Sequence, residues 1–227
     1  MDNAVAIEIV GVERTFMLHG RAIRALRGLD MQIQRGAFVV LMGPSGSGKT
    51  TLLNLVGGLD QPTVGSITVE GQRLDTLSGA ALAALRRQIG FIFQSFALIP
   101  TASAYENVEL GLRLAANVPR REWDGRIRRC LGAVGLTAWA EHRPYEMSGG
   151  QQQRVAIARA LAIRPRLILA DEPTGDLDSK TGEHILTLLR ALVDHEDMTL
   201  LMATHDPAAA AFATDVYYLQ EGALETG

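Results

Sequence analysis

Two hydrophobic rhythms divide this chain. In its first third the rhythm is that of strands. Leu29, Met31 and Ile33 alternate with Asp30, Gln32 and Gln34, a period of two that predicts a strand with one buried face. The run Phe38-Val39-Val40-Leu41-Met42 is apolar throughout, as expected of a strand covered on both faces. It stops at a glycine-rich stretch, after which Thr50 to Val56 reads as a helix. Ile67 and Val69 mark another strand. Ser78 to Gln88 reads as an alanine-rich helix capped by Ser78, and Ile89 to Phe93 as a short buried strand.

The middle of the chain changes rhythm. From about Phe96 to Ala162 only helical patterns occur. Pro119 suits the first position of a helix, and Trp123, Ile127, Leu131 and Val134 then fall on one face. After Arg164-Pro165 the strand pattern returns at Leu167 to Ala170 and Thr199 to Ala203. Between these two lies an amphipathic helix with Ile185, Leu188, Leu189 and Leu192 on its buried face. Asp206-Pro207 caps a further helix, and Val216 to Leu219 with Ala223 to Glu225 flank a turn at Gln220-Glu221-Gly222. The expected fold is α/β, with a mostly parallel sheet interrupted by a helical insert. We expect one domain over 1–227, with the core at about 1–95 and 163–227 and the helical subdomain at about 96–162.

Composition narrows the function. A length of 227 residues with 47% hydrophobic and 21% charged residues fits one globular domain with a sizeable core. A net charge of -3 leans away from a nucleic-acid binder, which usually carries an excess of basic residues. One cysteine, Cys130, excludes an intramolecular disulfide and suits a reducing compartment. The stretch MDNAVAIEIV lacks the basic start and apolar run of a signal peptide. No apolar run approaches the ~20 residues that span a bilayer, so membrane work is expected to go through a partner.

The chemistry is concentrated in short segments. Gly43-Pro44-Ser45-Gly46-Ser47-Gly48-Lys49-Thr50, followed by Thr51, fits G-x-x-x-x-G-K-T between a buried strand and a helix. The glycines let backbone N–H groups turn inward to cradle phosphate oxygens, and the following helix adds its positive end. Lys49 is expected on the β- and γ-phosphates and Thr50 on Mg²⁺, with ATP as the nucleotide. Leu167 to Pro173 is an apolar strand ending in Asp171 and Glu172. Asp171 would help position the Mg²⁺, and Glu172 would act as general base or orient the attacking water. Adjacent carboxylates at a strand end can also cap a helix; the lysine loop upstream favours the catalytic reading. Ser148-Gly149-Gly150-Gln151 opens another helix with a serine cap and two glycines, a second anion site in a chain that already has one.

With these segments the chain resembles the nucleotide-binding domain of ATP-binding-cassette (ABC) proteins, over essentially its whole length. The resemblance implies a P-loop NTPase (RecA-like) core, an N-terminal antiparallel β region and an inserted α-helical subdomain. It implies a homodimer in which each ATP lies between one phosphate loop and the partner's signature loop, Ser148 to Gln151. It places Gln94 on Mg²⁺ and the attacking water, Gly175-Asp176-Leu177-Asp178 across the dimer interface, His205 on the γ-phosphate and Phe16 under the adenine. Many members have tyrosine at that last position, and a core role for Phe16 stays open. Met147 stands where leucine is more usual, a swap that conserves volume.

Gly57-Gly58-Leu59-Asp60, Phe93-Gln94-Ser95-Phe96, Leu98-Ile99-Pro100 and Glu106-Asn107-Val108 look most like the lipoprotein-release and macrolide-export (LolD and MacB) branch, with the cell-division ATPase nearby. Asp176 departs from the asparagine frequent there. The implied partner is an integral-membrane permease docked against the insert around Phe96 to Tyr105, with the chain peripheral on the cytoplasmic face of the inner membrane and no nucleic acid bound. A regulatory ATPase of a transmembrane signalling complex and a solute-importer ATPase remain alternatives. A soluble ATPase of translation or DNA repair fits poorly, because one cassette and no heptad run are present. His19, His142, His184 and His195 receive no role, and Arg86-Arg87, Arg120-Arg121 and Arg128-Arg129 read as solvated helix faces.

Overall fold

A computed structural model of the chain describes residues 4–196 and 198–225. Met1 to Asn3, the start of the amino-terminal stretch read above, lie outside the described residues. The element order is β1 (Val5–Leu18), β2 (Arg21–Gln34), β3 (Phe38–Met42), α1 (Lys49–Val56), β4 (Val64–Val69), β5 (Gln72–Arg73), α2 (Gly79–Arg86) and β6 (Ile89–Ile92). Then come α3 (Ala104–Ala115), α4 (Trp123–Ala133) and α5 (Gly149–Ala162), and finally β7 (Leu167–Asp171), α6 (Ser179–Glu196), β8 (Thr199–Thr204), β9 (Asp215–Gln220) and β10 (Ala223–Leu224).

Two sheets form. One is antiparallel, in the order β2-β1-β4-β5; the other runs β10-β9-β3-β8-β7-β6, parallel except for β10. The apolar runs explain the second sheet. Phe38 and Val40 face a core built with α3, α4, α5 and α6, whereas Val39 and Leu41 face a second core shared with β1, β2, β4 and α1. A strand buried on both faces has no polar face to spare, so its sequence cannot alternate. Each Leu or Ile sealed in these layers contributes about 1.5–3 kcal/mol.

Several boundaries move from their expected places. Pro119 precedes a short 3-10 turn, Arg120–Glu122, and α4 begins only at Trp123. Ile127, Leu131 and Val134 are buried as the pattern requires. In α6 the buried stripe is Ile185, Leu186, Leu189 and Val193, while Leu188 and Leu192 are only partly covered. The stripe follows i, i+4, i+8 from Ile185, rotated slightly from the expected face. The segment after Asp206 is a 3-10 run, Pro207–Phe212, capped by the Asp206 carboxylate at the Ala208 amide. Leu29, Met31 and Ile33 are all buried, and β9 and β10 pair as the expected terminal hairpin. Between β6 and β7 the described residues form helices and turns but no strand, as the change of rhythm predicts.

Candidate active site

The site is set by where parallel strands end. β3, β7 and β8 lie side by side, with Met42 beside Thr204 and Asp171 beside Ala203. The segments leaving their carboxyl ends are therefore neighbours, the place where open α/β sheets bind ligands. One cleft there is lined by Ser45, Gly46, Gly48, Lys49, Thr50, Thr51, Gln94, Asp171, Glu172, Gly175, Asp176 and His205, with Ala25 of β2 on its edge.

The phosphate loop is held open by its backbone. Gly48, the residue before α1, has φ 110°, and a Cβ there would meet the Ala25 carbonyl oxygen at 2.6 Å. Gly43 comes equally close to β9, where a Cβ would lie 2.1 Å from the Leu219 oxygen. Only glycine fits either position. The Lys49 ammonium is buried and donates to the Gly43 and Pro44 carbonyls at 2.6 and 3.1 Å. The Ser47 hydroxyl oxygen is buried without a partner. No acidic residue lies in the first turn of α1, so nothing within it offsets the positive helix end. Unpaired donors, a buried ammonium and a helix N-terminus suit a polyphosphate.

The acid pair sits opposite. Asp171 is buried and accepts the Thr50 hydroxyl proton at 2.7 Å. Burial pushes its carboxyl above the usual range; the Thr50 hydroxyl pulls the other way, the Glu172 charge adds to the rise and Lys49 opposes it. Two hard oxygens, with the Gln94 amide on the same cleft, suit Mg²⁺ better than a soft-ligand metal. Among the described residues no cluster of three or more His, Cys, Asp or Glu could hold an ion unaided. A cation here needs oxygens from phosphate or water.

Glu172 has φ 48°, a left-handed conformation that is uncommon outside glycine. Its backbone N–H donates to the Ala203 oxygen at 2.8 Å, which fixes the turn at the sheet edge. Its two carboxylate oxygens are both engaged. Oε2 accepts from the Thr204 hydroxyl at 3.0 Å, and Oε1 lies 3.0 Å from His205 Nδ1. Thr204 is fully buried and also accepts the Asp206 amide proton at 3.0 Å. The sequence marked Glu172 and His205; it gave no sign of the Thr204 contact, which joins residues 32 apart through sheet topology. Ala25 was equally invisible, since it reaches the cleft only because β2 crosses the phosphate loop.

Other marked residues stand elsewhere. Ser148, Gly149, Gly150 and Gln151 are not on the cleft. Ser148 accepts from the Gln151 amide and Gln151 Oε1 accepts from the Ser148 amide, a complete capping box. That leaves the Gly149 and Gly150 N–H groups as the first amides of α5, with no intrahelical acceptor. No acidic residue lies in the first turn of α5 either. α5 also reaches the Gln94 loop: Arg159 donates to the Phe96 and Ala97 carbonyls, two residues at φ 60° and 48°. Asp178 is off the cleft, where its carboxylate accepts the Thr181 amide and hydroxyl protons and caps α6. Phe16 lies further out on the β1–β2 hairpin, 39% exposed.

Known proteins share this arrangement. The family model described as ABC transporter matches residues 26–175. The lipoprotein-releasing system ATP-binding protein LolD of Chromohalobacter salexigens is 42% identical over 98% of this chain and 94% of its own length. The macrolide export ATP-binding/permease protein MacB of Wolinella succinogenes is 46% identical over 96% of this chain, which spans 34% of that protein. The ATP-binding cassette MJ0796 of Methanocaldococcus jannaschii, solved as a dimer in a post-hydrolysis state with ADP and Pi, superposes with a TM-score of 0.93 at 43% identity, covering 97% of both chains. A phosphate loop, an acid pair and a separate serine-capped helix opening on two glycines, in a fold matched over 97% of the chain, place this chain in the ABC transporter family as an ATP-hydrolysing cassette.

Proposed function

We propose that two copies of this chain close head-to-tail over two ATP molecules and energise a permease of the lipoprotein-release or macrolide-export type from the cytoplasmic face of the inner membrane. The observation that carries this reading is the separation of two phosphate-binding features. The cleft at the phosphate loop is complete on one side, while Gly149 and Gly150 present free amides away from it. Neither glycine lines the cleft of its own chain, and in a two-fold head-to-tail dimer each would complete the partner's site. The names LolD and MacB and the dimeric MJ0796 cassette support the same choice.

Within each site Lys49 and the loop amides from Gly43 to Thr51 hold the phosphates. Thr50, Gln94 and Asp171 would hold Mg²⁺, which supplies charge neutralisation on the β- and γ-phosphates. Glu172 orients the attacking water and accepts its proton, with Thr204 and His205 fixing the carboxylate. His205 also reaches for the γ-phosphate, Asp176 meets the partner across the interface and Phe16 stacks on adenine. Asp178 supports that loop as the cap of α6. Ser148, Gly149, Gly150 and Gln151 close the site from the partner. The γ-phosphate bridges both loops, so ATP favours the closed dimer and ADP does not.

Coupling to the membrane is assigned to the seam between the core and the helical subdomain, where the expected docking segment Phe96 to Tyr105 begins. A groove lined by Phe91, Phe93, Ala97, Leu110 and Leu114 opens beside the Gln94 loop, rimmed by Arg86 and Arg87. It is the surface for a short permease helix. No helix among the described residues is long and apolar enough to cross a membrane. The test is capture of tagged Glu172→Gln protein with ATP from detergent-solubilised membranes. A permease with few membrane helices and a large external domain is the expected companion. A many-helix permease with a solute-binding protein would make the chain an importer subunit. Recovery alone, or with ribosomes or DNA, would contradict the membrane role.

A further inference from the structure

Phe16 is backed by a charged group. The Arg14 guanidinium lies 4.4 Å from the centre of its ring. Arg14 is itself clamped by Asp60, with Nε and Nη2 each 2.8 Å from a separate carboxylate oxygen. This is the two-pronged geometry that fixes a guanidinium plane, and a lysine cannot reproduce it. Both side chains are mostly shielded, at 23% and 27% exposure.

The clamp ties the hairpin to the helix that starts at the phosphate loop. Asp60 follows the carboxyl end of α1, where the Leu59 and Asp60 amides donate to the Asn54 oxygen. The Gln61 amide fixes Asp60 Oδ1 at 2.8 Å. The same loop is tied to β1 at the Thr63 amide, which donates to the Glu13 oxygen, and at the Thr63 hydroxyl, which accepts from the Thr15 amide. One helix therefore serves both ends of the site: its first turn holds the phosphate loop, and the loop after its last turn holds Arg14. Position along the hairpin agrees. Arg14 and Phe16 are two residues apart on β1, and across the register shift between Arg14 and Thr15 the guanidinium still reaches the ring. Arg14 is paired with Leu26, whose side chain packs on Gly48, so this stretch of the hairpin lies beside the phosphate loop. Phe16 is paired with Ile23, two residues beyond Ala25 on β2, so it stands about 7 Å further out along the hairpin than the cleft edge.

We infer that Arg14 is a positioning residue for the nucleotide base: held by Asp60, it covers one face of Phe16 and presents the other to adenine. The cation fixes the ring's tilt, and by drawing π density toward itself it favours an electron-rich purine on the opposite face. The inference rests on the reading of Phe16 as the base contact. Arg14 spends its charge on Asp60 and is not a phosphate ligand.

The test is equilibrium binding of Mg²⁺-ATP and of Mg²⁺-tripolyphosphate, which has no base, to the full chain. Phe16→Ala is expected to weaken ATP about tenfold, and Arg14→Ala about threefold to tenfold, with tripolyphosphate unchanged in both. Arg14→Lys and Asp60→Asn should show the same selective loss and keep the inference testable if Arg14→Ala folds poorly. In turnover, Arg14→Ala should raise KM and leave kcat in place. Equal loss of ATP and tripolyphosphate would make Arg14 a support for the phosphate loop and overturn the inference. Loss in Phe16→Ala with none in the Arg14 and Asp60 variants would overturn it while keeping Phe16 as the base contact. Unchanged ATP affinity in Phe16→Ala would remove the base contact and the inference with it.

Discussion

The two glycine-rich helix starts of this chain, at Gly48 and at Ser148, differ in how finished they are. At the phosphate loop the catalytic side chains are committed: Lys49 is buried on loop carbonyls, Thr50 is bonded to Asp171, and Glu172 is held by Thr204 and His205, while the Ser47 hydroxyl is left unpaired. At Ser148 the side chains are committed to each other through the capping box, and the two glycine amides are left over. Neither helix has an acidic residue in its first turn, so the positive end of each is unopposed from within, as it also is in α2 and α6. Two sets of helix-start amides, only one of them lining the cleft, fit a site divided between subunits.

The comparison can be broken first at its catalytic end. Glu172→Gln is expected to lower kcat by about 10²–10⁴-fold while the protein still binds ATP and accumulates as a dimer. Sedimentation with ATP and with ADP reads the dimer, and near-normal turnover would remove Glu172 from its role. Next, the two loops should fail differently. Lys49→Ala should weaken ATP binding to the monomer itself. Ser148→Ala should cut turnover about tenfold or more while monomer affinity stays within about twofold, because one lost hydrogen bond to a charged group is worth about 1.5–3 kcal/mol. Isothermal titration at low protein concentration separates them; a large loss of monomer affinity in Ser148→Ala would put the signature loop in cis.

Smaller effects sharpen the picture of the finished side. Thr204→Val removes the hydroxyl that Glu172 accepts from; kcat should fall about tenfold with KM steady, and Thr204→Ser should restore it. Equal kcat in the valine variant would make the contact incidental. The smallest effect concerns stability. Because burial raises the Asp171 carboxyl, its favourable contribution to folding is present in acid and is lost as pH rises through the raised value. Asp171→Asn should therefore raise the Tm of nucleotide-free protein near neutral pH. The gain should fade as pH falls toward the acid range, while ATP turnover is lost. Calorimetry in EDTA checks the sign.

What the sequence disclosed and what it withheld follow from chemistry. β3, β7 and β8 were legible because a strand buried on both faces must be apolar throughout. β1 and the first half of β2 were not, because register shifts near Val5, Ile9, Val12 and Arg14 break the period of two. The phosphate loop was legible because close backbone approach demands glycine at Gly43 and Gly48. Partners brought together by topology were invisible: Thr204 with Glu172, and Arg14 with Asp60 across 46 positions. Asp178 carried a local signal of its own, an aspartate three residues before Thr181 at a helix start, and the structure uses it as that cap.

The most direct test of the divided site is a mixing experiment. Lys49→Ala and Ser148→Ala are each expected to turn over at about a tenth of wild type or less. In a head-to-tail dimer of one of each, one site carries both defects and the other carries none. Mixing the two impaired proteins should therefore raise ATP turnover, toward about a quarter of wild type if half the dimers are mixed and each has one working site. A mixture no more active than its parents would mean that both loops act on one nucleotide within a single chain, and would contradict the account.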